Sequence, residues 1–419
     1  MGLRPDSLLK AGLRQASEDG ASPLSDLLLR LIWEERRMSR ADLARRADVS
    51  RSTVSDLVKD LLRTELVAEV GAGQSRGGRR PIVLEFQDEA FGILGVDIGA
   101  THVAAVVTDL RGRVLAWQET GHPVRTDPVG TRRLVAELSD GCLASWRGGT
   151  GRLVGIGVAV PSPVDPSQPD RLSEVVLPAW RGQKWFQGLR QRYGVPVLVD
   201  NDANLGALAE RWWGAGLGVD DFVYIKVATG IGAGHMVRGE IYRGATGISG
   251  EIGHLVVDPQ GPRCVCGLRG CLTEFVGSRA LSKRASELLA EYPRSVLAGA
   301  VPTVIAIEDA ALEGDPLANQ IVREAADYLG IAIAGVVSML NPAAVILGGG
   351  LTRVGDLLLE PLRDMVGRRA LLPSMAAAEI RVGDLGPQTT ALGAATLVLN
   401  AALDDPRMFP QPREEEATR

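Results

Sequence analysis

The stretch from residue 247 to residue 274 constrains this chain more than any other, because it holds three of the four cysteines and one of the four histidines. His254 precedes Cys264, Cys266 and Cys271, and one imidazole with three thiolates suits a single tetrahedral zinc ion. Since four protein ligands leave no open position, the pattern predicts a structural Zn²⁺ site rather than a catalytic one. The spacing C-x-C-x4-C differs from that of common zinc fingers, which favours a metal-bound loop inside a larger domain. The alternative is a set of unrelated buried cysteines.

Length and composition narrow the classes of protein. A chain of 419 residues exceeds one hydrophobic core, so two or three domains are expected. No apolar run approaches a membrane span and no signal-peptide core is visible, so we expect no membrane partner. Four cysteines do not make a disulfide framework, which fits a reducing cytoplasm. Cys142 lies in a helical pattern and is predicted to pack in the core.

Charge is distributed unevenly along the chain. Residues 1–86 hold 15 Lys and Arg against 13 Asp and Glu, a balance of +2, whereas the remainder holds 31 against 38, a balance of −7. A weakly basic N-terminal region on an acidic body is compatible with nucleic-acid binding without requiring it.

The N-terminal region has the pattern of a winged helix-turn-helix domain over residues 23–88, preceded by a flexible arm over residues 1–22. Apolar residues recur at helical spacing from Leu24 to Ile32. Ser39 with Asp42 forms a capping box for a short second helix, and Ser50 caps a third. Two short helices joined by a tight turn are typical of DNA-binding helix-turn-helix proteins.

The residues expected to contact double-stranded DNA are an arginine with small polar neighbours at the start of the third helix, and arginines in a glycine-rich turn between two strands. The residues of the third helix are expected to approach base edges in the major groove. The arginines of the turn are expected to reach phosphate or the minor groove. The two sets are Arg51, Ser52, Thr53 and Ser55, then Arg76, Arg79 and Arg80. The alternative is a three-helix accessory domain whose arginines are only solvated.

The body, residues 91–400, contains two similar halves. Each begins with an apolar strand, turns on glycines and enters a hairpin, closed by Arg111 and Gly112 in the first half and by residues 238–239 in the second. This repetition predicts a duplicated α/β fold with one cleft, in which the turns cradle phosphates. The glycines at 348–350 fit either a nucleotide approaching the backbone or a tight strand-to-helix turn. Residues 401–419 are expected to be disordered.

Asn201, Asp202 and Asn204 follow an apolar strand at its carboxyl end, where α/β folds bind ligands. Asp202 could take a proton from a sugar hydroxyl as a general base. It could equally cap the helix that follows, and the two roles are compatible.

These motifs together resemble the ROK family of sugar-responsive repressors and sugar kinases over nearly the whole chain. The resemblance is carried by GEIGHLVVDPQGPRCVCGLRGCLTE, VDNDANLGALAE, VDIGATH and ATGIGAG. It implies a winged helix-turn-helix followed by a two-lobed, actin-like fold of the hexokinase and ribonuclease-H type. It also implies sugar contacts by Asn201, Asp202, Glu251, His254 and Glu274. Zinc would be held by His254 and the three cysteines, one imidazole nitrogen facing the metal and the other the sugar. The implied nucleotide and phosphate-loop positions are Asp97, Gly99, Thr101, Thr229, Gly230, Gly232, Gly349 and Gly350.

The chain departs from the family's kinases at four positions. Ala100 and Ala228 stand where glycines are usual, His102 where a lysine is frequent, and Ser162 where a glycine lines the sugar side. A Cβ at a position that needs left-handed backbone costs about 1–2 kcal/mol. These departures and the N-terminal domain favour a transcriptional repressor that binds operator DNA and a sugar or sugar phosphate as a homodimer or homotetramer. The alternative is a sugar kinase that uses ATP and Mg²⁺, with Asp202 as its base.

Overall fold

The computed structural model describes residues 23–72, 82–174, 176–183, 185–299, 301–369 and 378–410. The expected N-terminal arm, the wing arginines Arg76, Arg79 and Arg80, and residues 411–419 lie outside these ranges. Within them, no helix combines the length and the apolar character that crossing a bilayer requires.

The N-terminal domain is a winged helix-turn-helix. Ser39 accepts a hydrogen bond from the Asp42 amide at 3.1 Å, and Ser50 accepts one from the Thr53 amide at 3.1 Å, so both expected caps are formed. Its sheet is antiparallel in the order β1-β3-β2. The elements are α1 (Pro23–Glu35), β1 (Arg37–Ser39), α2 (Arg40–Arg46), α3 (Arg51–Arg63), β2 (Val67–Ala72) and β3 (Ile82–Phe86).

The first lobe of the body is a five-stranded sheet in the order β6-β5-β4-β7-β8. Strands β4, β5 and β6 are antiparallel neighbours, and β4, β7 and β8 are parallel. The elements are β4 (Gly92–Ile98), β5 (His102–Thr108), β6 (Val114–Gly121), α4 (Pro128–Ser145), β7 (Leu153–Val160), α5 (Trp185–Tyr193) and β8 (Val197–Asn201).

The second lobe repeats that pattern in the order β11-β10-β9-β12-β13, with β9, β12 and β13 parallel. The predicted duplication and two-lobed fold are therefore confirmed. The elements are α6 (Asp202–Trp213), β9 (Phe222–Val227), β10 (Ile231–Val237), β11 (Glu240–Ile241), α7 (Thr273–Val276), α8 (Ser278–Leu288), α9 (Val304–Leu312), α10 (Pro316–Leu340), β12 (Ala344–Gly349), α11 (Asp356–Arg369) and β13 (Glu379–Val382). Short 3-10 turns include Ile252–His254.

Helix α12 (Thr389–Asp404) packs both on the first sheet and on α6. A Cβ built on Gly157 would lie 1.8 Å from the Ala394 carbonyl, and one on Gly393 would lie 1.8 Å from the Leu205 carbonyl. Only glycine permits such close backbone approach. The helix continues through Asp404, and Phe409 is buried with its ring 5.7 Å from that of Phe91. The prediction of disorder from residue 401 is therefore wrong for residues 401–410, because Phe409 anchors them in the core.

The N-terminal domain and the first lobe share one hydrophobic core. It contains Leu28 and Ile32 from α1, Ile93 from β4 and Leu399 from α12. Polar contacts close its edge, since the Trp33 indole donates to the Leu110 carbonyl at 3.0 Å. Shared apolar burial makes the N-terminal domain continuous with the first lobe.

Candidate functional site

The four residues of the predicted metal site converge. The ligand atoms of His254, Cys264, Cys266 and Cys271 all lie within 4.8 Å of one another. The His254 Nδ1 is 3.5 Å from the Cys264 Sγ, and the Cys266 and Cys271 Sγ atoms are 3.6 Å apart. Zinc–sulfur and zinc–nitrogen bonds in a tetrahedron imply ligand separations of about 3.6–3.8 Å. The donor set therefore fits a zinc ion, and these two separations are close to those of a tetrahedral site.

The backbone of this loop is shaped by tight turns. The Cys264 amide donates to the Leu268 carbonyl at 2.8 Å, and Gly267 has a φ of +92°. Gly270 has a φ of +71°, and a Cβ there would lie 1.5 Å from the Asp258 carbonyl. Because both positions need left-handed backbone, glycine holds the cysteines in register around the ligand cluster.

The turn between β8 and α6 is held by a buried carboxylate. Asp200 accepts hydrogen bonds from the Asn201 amide at 2.7 Å and from the Asn204 side chain at 3.0 Å, and Arg243 contacts it at 2.7 Å. Asn201, not Asp202, caps α6, because its side chain accepts from the backbone amides of residues 203 and 204. Asp202 is left at the first helical position, where its carboxylate faces Lys226 across the space between the two sheets, called the cleft below.

In that cleft, the carboxylate of Asp202 is paired. The Lys226 ammonium, on β9 of the second sheet, lies 3.0 Å from Asp202 and 4.0 Å from Asp97 at the end of β4. Burial acts to raise the pKa of Asp97, but Lys226 and a 3.2 Å hydrogen bond with His102 outweigh it and hold that pKa below its usual range. Burial likewise acts to lower the pKa of Lys226, but the two carboxylates outweigh it and hold that pKa above its usual range. Asp97 and Lys226 are therefore both favoured in their charged forms.

The remaining residues implied for sugar binding lie around this turn and the cysteine cluster. Burial first, and the nearby Asp202 second, raise the pKa of Glu251. His254 turns its Nδ1 toward Cys264, which leaves its Nε2 for another partner. Glu274 lies on α7, three residues after Cys271.

A cavity of about 350 Å³ is lined by loop residues that follow Ser162 and precede Glu251 in the chain. Ser162 joins the first of these loops to the α6 turn, because its carbonyl accepts from the Asn201 side chain at 3.2 Å and its hydroxyl from the Ser173 amide at 3.1 Å. The lining residues are Pro163, Asp165, Gln168, Arg171, Leu172, Ser173, Glu174, Thr246 and Ile248.

The backbone strain considered for the two departing loops does not arise. Neither Ala100 nor Ala228 is among the residues with positive φ. Gly349 does have a φ of +90°, and the Gly350 amide donates to the Val227 carbonyl at 2.6 Å, so these glycines serve a tight turn against β9.

The other implied phosphate-loop positions differ in their surroundings. Gly99 is covered by the His102 ring, whereas a Cβ on Gly230 would meet only the Thr273 hydroxyl at 3.9 Å. Gly232 packs on α6, since a Cβ there would lie 3.2 Å from the Ala203 methyl. Thr101 is exposed and Thr229 is half-buried.

Comparison with known proteins identifies the body. The model described as the ROK family matches residues 93–401, and one described as winged helix-turn-helix DNA-binding matches residues 27–68. The chain belongs to the ROK family. It is 30% identical over 388 residues to the xylose repressor of Caldicellulosiruptor bescii, which covers 91% of this chain and 96% of that repressor.

Two solved structures of ROK proteins are similar to this chain. One is a ROK family transcriptional regulator, a homologue of the E. coli MLC protein, with a TM-score of 0.75, 25% identity, and coverage of 91% of this chain and 96% of that one. The other is a ROK family glucokinase from Streptomyces griseus in complex with glucose and AMPPNP. Its TM-score is 0.66 at 32% identity, over 73% of this chain and 98% of that one.

In this ROK protein, the start of α3 is accessible as expected. Arg51, Ser52 and Thr53 are exposed, and Ser55 is half-buried. The Ser50 hydroxyl lies 2.7 Å from that of Ser52, which orders the first turn of the helix. In a helix-turn-helix motif, the start of the second helix, here α3, is presented to the major groove.

Sequence reasoning missed the ion pairs that join the two sheets. Asp200 lies within the motif VDNDANLGALAE, in which only Asn201, Asp202 and Asn204 stood out, and Arg243 lies in a loop without a pattern of its own. Lys226 carried a usable signal, because it is a single cation inside the apolar strand FVYIKV. A lysine in such a strand needs an anionic partner, but only the fold shows that the partners are Asp97 and Asp202.

Proposed function

We propose that this protein is a DNA-binding transcriptional repressor of carbohydrate metabolism, controlled by a sugar bound in its ROK body. The observation that carries this proposal is the winged helix-turn-helix domain built into the same core as the first lobe. A relative named a xylose repressor and a solved ROK transcriptional regulator each span 91% of the chain, which includes both parts. An enzyme without a gene to control has no use for such a domain.

The sugar is proposed to bind at the turn between β8 and α6. Asn201, Asp202, Glu251, His254 and Glu274 would contact its hydroxyls, since carboxylates accept hydrogen bonds from hydroxyl groups and an amide or a neutral imidazole can both accept and donate. A site built on such bonds strongly rejects ligands that lack the hydroxyls. Zinc at the cysteine cluster would fix the His254 ring through Nδ1 and present Nε2 to the sugar.

Helix α6 is proposed to connect the sugar to the DNA-binding domain. It begins at Asp202 in the cleft and ends at Trp213, a span of about 18 Å. Near its end, the Trp212 ring packs on Trp33 of α1 at a centroid distance of 5.3 Å. Movement of one lobe against the other would therefore change the orientation of the domain that binds the operator.

The assembly is proposed to be a homodimer or homotetramer acting in the cytoplasm. Winged helix-turn-helix repressors bind two half-sites, and a symmetric pair of domains matches a palindromic operator. Closing or opening the lobes would alter the spacing of the two domains. The sugar would then release or strengthen DNA binding without contacting DNA.

The direct test is fluorescence anisotropy with a labelled duplex from the region upstream of the protein's own gene. Specific binding that survives competition by unrelated DNA, and that shifts when xylose or glucose is added, is the expected result. The matched control is Arg51→Ala, which should weaken binding without changing the folded structure, because Arg51 is exposed. Equal affinity for specific and unrelated duplexes at moderate salt, with and without sugar, would contradict the proposal.

The alternative function, a sugar kinase, has less support from the comparisons than the repressor function. The glucokinase structure matches 73% of the chain, whereas the xylose repressor and the ROK transcriptional regulator each match 91%. Release of ADP from ATP across a panel of hexoses, with Asp202→Asn as the inactive control, would establish it. We expect no sugar-dependent turnover.

A further inference from the structure

The cleft already contains a cation. Asp97 lies near the end of β4, Asp202 directly follows β8, and both carboxylates face the second sheet. Carboxylates placed in this way bind Mg²⁺ in nucleotide-dependent phosphoryl transfer. Here the Lys226 ammonium reaches across from β9, at 3.0 Å from the Oδ2 of Asp202 and 4.0 Å from the Oδ2 of Asp97. The Lys226 side chain is only 12% exposed, so water competes weakly for these contacts.

The turn after β4, which contains Gly99, is also occupied by a side chain of the protein. The His102 Nε2 lies 3.2 Å from the same Oδ2 of Asp97 that faces Lys226. Its ring covers Gly99, where a Cβ would lie 2.3 Å from the imidazole Cε1. A phosphate that approached the backbone of this turn would meet the imidazole first. The residues present therefore do not fit a metal-bound nucleotide.

We infer that Lys226 is a resident cation that takes the place of a divalent metal ion and restricts the cleft to an unphosphorylated, neutral sugar. This inference rests on the proposed sugar-binding function and names the class of its effector. The Lys226 ammonium and the His102 imidazole are already paired with the carboxylates of Asp97 and Asp202, so neither group is free to neutralise a phosphate. A phosphate group would instead lie beside the Asp202 carboxylate. Since like charges repel strongly in a poorly hydrated cleft, a sugar phosphate is disfavoured.

The first experiment measures Mn²⁺ binding to the full-length protein. Lys226→Thr and Lys226→Met each remove the ammonium, the second with little loss of volume. The control is Lys283→Met, because Lys283 lies on α8 with a side chain 74% exposed. Binding is followed by the electron paramagnetic resonance signal of free Mn²⁺ and by the melting temperature.

We expect at least one Lys226 variant to bind Mn²⁺ about tenfold more tightly than wild type and to melt at a higher temperature when Mn²⁺ is added. Adding Asp202→Asn to that variant should abolish the gain, which places the ion in the cleft and away from the cysteines. Wild type and Lys283→Met should show neither effect. Equal Mn²⁺ binding by wild type and both folded Lys226 variants would overturn the role given to Lys226.

The second experiment compares neutral sugars with their phosphates by calorimetry on wild type, with and without Mg²⁺ and AMPPNP. We expect xylose or glucose to bind about tenfold more tightly than its phosphate, and Mg²⁺ with AMPPNP to leave that affinity unchanged. Tighter binding of the phosphate, or sugar binding that needs Mg²⁺, would overturn the inference. If neither kind of sugar bound, the proposed function would fail, while the Mn²⁺ result would still decide the role of Lys226.

Discussion

The Trp33 ring of the DNA-binding domain packs against the Trp212 ring of α6, with centroids 5.3 Å apart and planes inclined by 52°. Trp212 in turn lies 5.6 Å from Trp213, whose indole donates to the Thr396 hydroxyl of α12 at 2.8 Å. The helix that begins with Asp202 thus ends in an aromatic cluster shared by the domain that binds DNA, the first lobe and α12.

Replacing Trp212 should uncouple the sugar from DNA. We expect Trp212→Ala to reduce the effect of sugar on operator affinity several-fold, because the contact by which α6 moves α1 is lost. The sugar affinity itself should change little, since Trp212 lies at the opposite end of the helix from Asp202. Anisotropy and calorimetry measure the two quantities separately, and allosteric couplings are typically about 5–150-fold.

The matched control for that prediction is Trp146→Ala. Trp146 is also half-buried, but it packs near Gly92 and Gly148, away from α6. It should cost stability and leave the coupling intact. An undiminished sugar response in Trp212→Ala would show that α6 does not carry the signal by this contact.

Removing a cysteine from the cluster should release zinc and destabilise the loop. We expect wild type to contain about one Zn²⁺ per chain and Cys266→Ser to lose most of it, because a tetrahedral site needs all four ligands. Elemental analysis measures the metal, and thermal unfolding should show a lower melting temperature for the variant.

Cys142→Ala serves as the control for the metal. The Cys142 thiol donates to the Ala105 carbonyl at 3.3 Å in the core of the first lobe, remote from the cluster. This variant should retain its zinc despite some loss of stability. A full complement of zinc in Cys266→Ser would refute the ligand set.

The ion pair between Arg243 and Asp200 should hold the turn between β8 and α6, the proposed sugar site, in place. We expect Arg243→Met to lower the free energy of unfolding by about 2–4 kcal/mol, since it leaves the buried Asp200 without its cation. Sugar affinity should fall as well, because Asp200 positions the Asn201 amide and the Asn204 side chain. Chemical denaturation and calorimetry measure the two effects.

Arg181→Met is the comparison for that prediction. Arg181 pairs with Glu174 at 2.7 Å, but its side chain is 76% exposed. An exposed pair contributes little, so the loss of stability should be far smaller. Equal losses in the two variants would mean that burial of Asp200 is not what matters.

The sequence was most informative about features that depend on one type of residue and on neighbours close in the chain, such as helix caps and metal ligands. Ser39 and Ser50 predicted helix starts that the structure confirms, because a capping hydroxyl bonds only to amides a few residues away. The ligand cluster was predictable because His254 and the cysteines are close in the chain and scarce elsewhere. Long-range pairs were not predictable in this way. Lys226 and Asp97 are separated by well over a hundred residues and meet only because the two sheets face one another.

The end of the body was mispredicted for a related reason. The composition after residue 400 is polar and proline-containing, which is typical of disorder. A single buried aromatic, Phe409, reverses that expectation for residues 401–410 by packing on Phe91. Local composition does not show which apolar residue finds a partner in a distant strand.

The pH dependence of His102 provides the last prediction. Burial acts to lower the pKa of His102, but the hydrogen bond and the charge of Asp97 outweigh it and raise that pKa above its usual value of about 6.5. The protonated ring is therefore favoured in the folded protein. Its contribution to stability should be fully present below about pH 6.5 and should be lost as pH rises through the raised pKa.

Replacing the carboxylate should reverse the sign of that shift. In Asp97→Asn, burial and the positive charge of Lys226 remain without the anion, so the His102 pKa should fall below 6.5. Nuclear magnetic resonance can follow the ring directly, because the chain has only four histidines and His102→Gln assigns the signal. His122→Gln assigns a second imidazole signal, that of the ring beside Asp127 at 3.5 Å. A His102 pKa that stayed the same in both proteins would show that Asp97 is not its charge partner, and the arrangement inferred around Lys226 would lose its second support.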